Sequence, residues 1–312
     1  MTQADAYAYA GNAKIVRTSQ YSNDTITVQG SIPIANVQFA NADNVLIKQR
    51  NDGTCKSTPS LDQGILGLSP FESTSKVPSF RENLFTAGAI LSRTMTMWFN
   101  AHPGPLGTLT GGTLFGAIDR SKFTGDLVRV PNAIKQYQVG FYVPKPVMNI
   151  NGVIVESTVD TNCLVDSGAH ADAIPIPYGE EEKAFFAQTG LIEYIGMVAY
   201  NGTCDSIPAD FNIDYTFAGV KDKENITIKM PLRNYARGHE VLDPSWTGGD
   251  ICVLNLETGS SCLFGAPFAS AAFLAFDDAD QSIAFAQGGV SDEGSGLDDL
   301  VVIGMGETFD SV

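Results

Sequence analysis

Cys163-Leu164-Val165-Asp166-Ser167-Gly168-Ala169 is an apolar run that delivers a carboxylate into a tight turn. Leu164 and Val165 favour burial and Asp166 does not, while Gly168 lets the backbone fold close beside the carboxylate. That combination holds an acid in place at the end of a strand. Taken alone, Asp-Ser-Gly also serves as an ordinary structural turn. No second Asp-Ser/Thr-Gly occurs in the 312 residues, so one acid is visible where paired-carboxylate chemistry needs two.

Around this stretch the composition describes a folded, low-charge protein. Hydrophobic residues make up 44% and charged residues 17%, the latter below the roughly 25% usual for globular chains, which argues against extended disorder. With 35 acidic and 19 basic residues the net charge is −16. That charge opposes partnership with nucleic acid or an anionic membrane surface and suits an extracellular or acidic setting. The five cysteines (Cys55, Cys163, Cys204, Cys252 and Cys262) contain no C-x-x-C pair, and His102, His170 and His239 are scattered. No metal site, thiol-redox motif or cofactor motif follows from them. One or two disulfides are allowed, and Asn-x-Ser/Thr sequons at Asn23, Asn201 and Asn225 agree with a secretory origin. Residues Met1 to Asp5 lack the charged and apolar regions of a signal peptide, and no apolar run approaches a membrane span.

Taken in order, the chain reads as many short strands with two short helices. Gly11-Asn12 lies between extended segments and predicts a hairpin tip, and Gly64-Ile65-Leu66-Gly67-Leu68 predicts a buried apolar strand. Ser79-Phe80-Arg81-Glu82 is a capping box that starts a helix ending near Gly88. Strands are expected around 95–99, 111–116, 136–142, 147–155 and 211–231, and a second helix over 180–188 with acidic residues in its first turn and Gly190 after it. Gly111 to Gly116 lacks the Lys-Ser/Thr ending of a phosphate loop. Ala271 to Phe276 and Ile283 to Ala286 flank a polar turn and form a hairpin, and residues 290–312, acidic and Gly/Ser-rich apart from Leu300 to Ile303, form a partly ordered tail.

The order of these features resembles the pepsin-like aspartic proteases, fungal members in particular, over residues 7–288. The carrying motifs are Tyr9-Ala10-Gly11-Asn12-Ala13, Asp62 to Pro70, Gly112 to Asp119 with Thr124-Gly125-Asp126-Leu127, Leu164 to Ala169, and Leu263-Phe264-Gly265-Ala266-Pro267-Phe268. The resemblance implies a mostly β, bilobal fold with an incomplete N-terminal lobe at 1–125, a C-terminal lobe at 126–289 and the tail. It also implies that Asp166 is the catalytic aspartate of the C-terminal lobe. Tyr9 and Gly11, on a flap hairpin, would contact substrate together with Ser167, Gly168 and Ala169. Cys204 and Cys252 stand where the C-terminal-lobe disulfide is expected, while Cys55, Cys163 and Cys262 find no assigned partner.

Departures from the pattern accompany it. In the family the first Asp-Ser/Thr-Gly precedes the flap, and only eight residues precede Tyr9, so the first catalytic turn is expected outside this sequence. Ala169 replaces a hydroxyl residue, His170 replaces a small one, and Ala10 replaces the glycine after Tyr9. The implied activity is hydrolysis of peptide bonds at acidic pH by two aspartates and a water. The alternative is a catalytically inactive pepsin-like module that binds peptides. The implied partner is a peptide or protein substrate, without cofactor, metal or nucleic acid, and the complete protein is expected to be a monomer that is secreted, vacuolar or at the cell surface.

Overall fold

A computed structural model describes residues 5–9, 14–18, 20–27, 33–41, 44–47, 66–70, 78–102, 104, 108–135, 138, 140–194, 196–221, 224–237 and 250–309. It divides into two compact units, Met1–Ile90 and Leu91–Val312. The architecture is mostly β with few short helices, as the resemblance implies.

In the first unit, β1 (Asp5–Tyr9) and β2 (Lys14–Thr18) form an antiparallel hairpin with Tyr9 opposite Lys14. Its tip, including Gly11 and Asn12, lies outside the described residues. After β3 (Gln20–Ile26) and β4 (Ile34–Asn41), which pair with one another, β5 (Asn44–Ile47) adds to β2. Helix α1 (Phe80–Thr86) begins as its capping box predicts: Ser79 is the N-cap and its hydroxyl accepts from the Glu82 N–H at 3.2 Å. The run expected to be a buried strand is not one at its described end. Leu66 is 56% exposed. The carbonyls of Leu68 and Ser69 accept from the Arg81 guanidinium at 3.1 and 3.2 Å, so a side chain supplies their donor.

The second unit continues with β6 (Thr94–Phe99), β7 (Gly111–Phe115), β8 (Ala117–Asp119) and β9 (Thr124–Val130). Next come β10 (Phe141–Pro144), β11 (Val147–Ile150), β12 (Val153–Val155), β13 (Asn162–Val165) and β14 (Asp172–Ile174). Helix α2 (Glu180–Thr189) has three glutamates in its first turn, where they complement the helix dipole, and stops at Gly190 in the left-handed region, φ 73°. There follow β15 (Ile192–Tyr194), β16 (Met197–Tyr200), β17 (Asn212–Ala218), β18 (Asn225–Pro231), β19 (Ala236–Arg237), β20 (Cys252–Leu254), β21 (Leu256–Thr258) and β22 (Leu263–Phe264). A third helix, α3 (Ala266–Ala269), precedes the predicted hairpin of β23 (Ala272–Asp277) and β24 (Ser282–Gln287), and β25 (Leu300–Val302) ends the series.

Two sheets position the site. One has the order β7-β6-β23-β24-β9; the other, β10-β13-β22-β14-β21, contains parallel pairings of β13 with β22 and of β14 with β21. Strand β23 is buried on both faces, which is why its sequence is a continuous apolar run and not an alternating one. Trp98, Ile118, Phe273, Ala275, Ala284, Ala286, Ile303 and Phe309 form one core. A second, aromatic cluster joins Tyr215, Phe217, Phe264, Phe268 and Phe285, with Phe264 and Phe268 centroids 4.3 Å apart.

Residues 290–309, expected as a partly ordered tail, are docked on this unit. Strand β25 pairs antiparallel with β8, and Ile303 and Phe309 are buried. The apolar run Leu300 to Ile303 supplies that strand, and a few well-spaced apolar side chains suffice to fix such a segment.

Candidate active site

Strand β13 is apolar because it is sandwiched. Cys163 and Val165 are buried, and its neighbours are β10 on one side and β22 on the other. The strand ends where the chain turns at Asp166, whose N–H donates to the Phe264 carbonyl at 2.9 Å, the last rung against β22. Ala169 N–H then donates to the Asp166 carbonyl at 3.0 Å and closes the turn. Gly168 N–H donates to Asp166 Oδ1 at 2.9 Å. Among the described residues nothing else bonds this carboxylate, so one oxygen is oriented and the other is open. Asp166, Ser167 and Gly168 are exposed, as is His170. An exposed, oriented carboxylate on a rigid strand end can act as a base toward a bound water.

The opposite wall of the turn is residues 264–266. While Phe264 accepts from Asp166, Ala266 N–H donates to the Ala169 carbonyl at 2.8 Å. Between them Gly265 sits so close to the turn that a Cβ there would lie 2.5 Å from the Ala171 carbonyl oxygen and 2.6 Å from that of Ala169. Only glycine permits that approach.

Beneath this wall lies a group that the sequence reading missed. Asp172, the first residue of β14, is completely buried. Its Oδ1 accepts from Gly265 N–H at 2.6 Å and from Phe268 N–H at 3.4 Å, and its Oδ2 lies 2.7 Å from the Tyr235 hydroxyl. Tyr235 in turn meets the Tyr215 hydroxyl at 3.0 Å. Burial pushes the Asp172 carboxyl up to about 7, against the opposing pull of Tyr235 and the two amides. Both tyrosines are pushed above their ordinary range by burial first and then by the neighbouring carboxylate. A lone acid between Ala171 and Ala173-Ile174, in an otherwise apolar run, was the signal available in the sequence.

Two disulfides brace the same unit. Cys204 is bonded to Cys252, the pair that the resemblance implied. Cys163 is bonded to Cys262, a pair that it did not; this bridge ties β13 to the residue preceding β22, three positions before Asp166. Cys55 and Gly11 lie outside the described residues, and of Tyr9 the structure gives only its backbone at the end of β1. No group of His, Cys, Asp or Glu suited to a metal ion occurs among the described residues, nor does any helix there have the length and apolarity to cross a membrane.

A family model described as eukaryotic aspartyl protease matches residues 9–288. The chain belongs to that family. Cathepsin D of Dictyostelium discoideum is 26% identical over 278 residues, an alignment that covers 85% of this chain and 63% of the relative. Secreted aspartic protease 9 of Candida albicans is 26% identical over 287 residues, covering 86% of this chain and 48% of the relative. Barrierpepsin of Saccharomyces cerevisiae is 23% identical over 315 residues, covering 91% and 48%. The chain thus spans about half to five-eighths of the length of these relatives.

Proposed function

We propose that this chain is part of an aspartic endopeptidase of acidic pH in which Asp166 is one of two catalytic aspartates. The carrying observation is the exposed carboxylate of Asp166, oriented by Gly168 N–H at the end of a disulfide-braced strand. Family membership supports the chemistry. In this enzyme class two carboxylates about 3 Å apart cannot both ionise, so the pair shares one proton. The ionised partner draws a proton from a bound water as that water attacks the scissile carbonyl, and the protonated partner polarises the carbonyl oxygen. No covalent intermediate with the enzyme forms. The pair titrates as a unit, which confines activity to acid.

In this reading residues 1–125 belong to the first lobe and 126–289 to the second. Tyr9 and Gly11 belong to a flap over the substrate, and Ser167, Gly168 and Ala169 line the cleft. The partner aspartate is supplied by an Asp-Ser/Thr-Gly that these 312 residues do not contain. The name secreted aspartic protease, carried by two of the relatives, supports a secreted setting. A second reading, an inactive peptide-binding module, is favoured by Ala169, which lacks the hydroxyl that would bond the neighbouring carboxylate.

Hydrolysis of a denatured protein at about pH 3 to 5, blocked by a statine-type inhibitor, is the expected result for the protein carrying both aspartates. Asp166→Asn should abolish it, and unchanged hydrolysis in that variant overturns the assignment. Inhibitor binding without hydrolysis in the 312-residue chain would favour the second reading.

A further inference from the structure

Three consecutive residues hold the whole Asp166 turn. Phe264 receives Asp166 N–H, Gly265 N–H reaches the Asp172 carboxyl, and Ala266 N–H reaches the Ala169 carbonyl. The turn therefore begins and ends on the same wall, and the middle of that wall is held by a side chain, the Asp172 carboxyl. We infer that Asp172 is a positioning residue for Asp166, acting through residues 264–266, and that its proton is part of that role. This rests on the reading of Asp166 as catalytic.

The surroundings of Asp172 explain why the proton matters. The titratable groups that face it are Tyr235, just after β18, and Tyr215 of β17. Strand β22 and helix α3 present only backbone N–H groups and apolar side chains, and on β21 Glu257 is exposed. No cation is bonded to its carboxyl among the described residues. When neutral, the acid accepts Gly265 N–H through Oδ1 and donates its proton through Oδ2 to Tyr235, whose hydroxyl then donates to Tyr215. When the proton leaves for solvent, Tyr215 donates to Tyr235 and Tyr235 to Oδ2, and an anion remains buried without a counter-ion. Burial of such a charge is unfavourable even with its hydrogen bonds filled, and the wall opens to let water reach it.

The sign follows from the acid's two environments. In the unfolded chain it titrates at the ordinary carboxyl value of 3.8, and in the fold at about 7. Between those values the native state holds a proton that the unfolded state has lost, so stability falls as pH rises through that window and levels above it. Asp172→Asn keeps an acceptor for Gly265 and a donor for Tyr235 but cannot ionise.

Amide hydrogen exchange of the 312-residue chain tests this, read at Asp166, Ala169 and Gly265 and corrected for intrinsic rates. The protection of Asp172→Asn relative to wild type should grow by about tenfold per pH unit from about 4 to about 7 and then level. Parallel profiles overturn the inference. Tyr235→Phe, a second variant, removes a bond that favours the ionised form, so its break should move to higher pH; an unmoved break also overturns it. In the protein carrying both aspartates, Asp172→Ala, which leaves Gly265 N–H without its acceptor, should lower kcat at about pH 3 to 5 with KM unchanged, and Asp172→Asn, which restores an acceptor, should recover it. Full kcat in Asp172→Ala removes the positioning role even if exchange behaves as stated, whereas absence of hydrolysis in the wild type defeats the protease reading and leaves exchange to decide the clamp.

Discussion

Gly265 shows how little room the turn leaves. The two atoms nearest to an added Cβ are backbone carbonyl oxygens, at 2.5 and 2.6 Å, and neither is the end of a flexible side chain. Gly265→Ala must push the turn off its wall, with an expected loss of about 1–3 kcal/mol in stability. Chemical denaturation at pH 5 measures it. Gly67→Ala is the control, because among the described residues nothing lies within 4 Å of a Cβ there and its change should stay within about 0.5 kcal/mol. At this scale the sequence was half legible. Asp166-Ser167-Gly168 announces a held carboxylate by itself, since the oxygen and the amide that orient one another are two residues apart. Asp172 announces nothing of its role, because its partners Tyr235 and Gly265 stand 63 and 93 residues away.

Elements divide in the same way between local and distant causes. Helix α1 is written in Ser79 and Glu82, and α2 in its three glutamates and Gly190, all within a turn of the helix ends. Helix α3 has only four residues and is held by Asp172 and by the end of β22, so no local pattern marks it. The parallel pairing of β13 and β22 is likewise non-local, since parallel strands cannot be joined by a tight turn. Here a covalent bond assists: Cys163 and Cys262 are separated by 99 residues. A cross-link of that span restricts the unfolded chain by about 4–5 kcal/mol in the chain-entropy description. Replacing both cysteines by alanine should lower the stability by an amount of that order, read from the shift in denaturation midpoint. It should also raise exchange at the Asp166 and Leu164 amides, which donate to Phe264 and Cys262 across this pair. A variant with an unmoved midpoint would show that the backbone pairing is sufficient by itself. Five cysteines without spacing motifs could not reveal this bridge, because their pairing depends on the register of strands that meet only in the fold.

For the second unit as a whole, the final segment is part of the body. Lys122, 1% exposed, reaches Ser295 Oγ at 2.8 Å and the Gly296 carbonyl at 2.6 Å, which exchanges the hydration of its ammonium for fixed oxygens. Strand β25 then covers β8, with Leu300 opposite Asp119 and Val302 opposite Ala117. Phe309 and Ile303 enter the core formed by Trp98, Phe273 and the alanines of β23 and β24. Strand β23 also pairs with β6, so a loss at Phe309 propagates into the sheet that contains both. Removing a buried phenylalanine side chain costs about 3–5 kcal/mol where the site cannot collapse, and the surrounding β ladder leaves little freedom for collapse. Phe309→Ala should therefore lower the stability of this unit by that order, measured as a shift in denaturant midpoint at constant m. A chain ended at Gly289 should lose more, since it also uncovers β8 and strips Lys122 of its acceptors. If truncation at Gly289 left the midpoint and the near-ultraviolet circular dichroism unchanged, the docking of residues 290–309 would contribute nothing to the fold. If only Phe309→Ala were silent, the anchorage would lie in Lys122 and the β25 pairing.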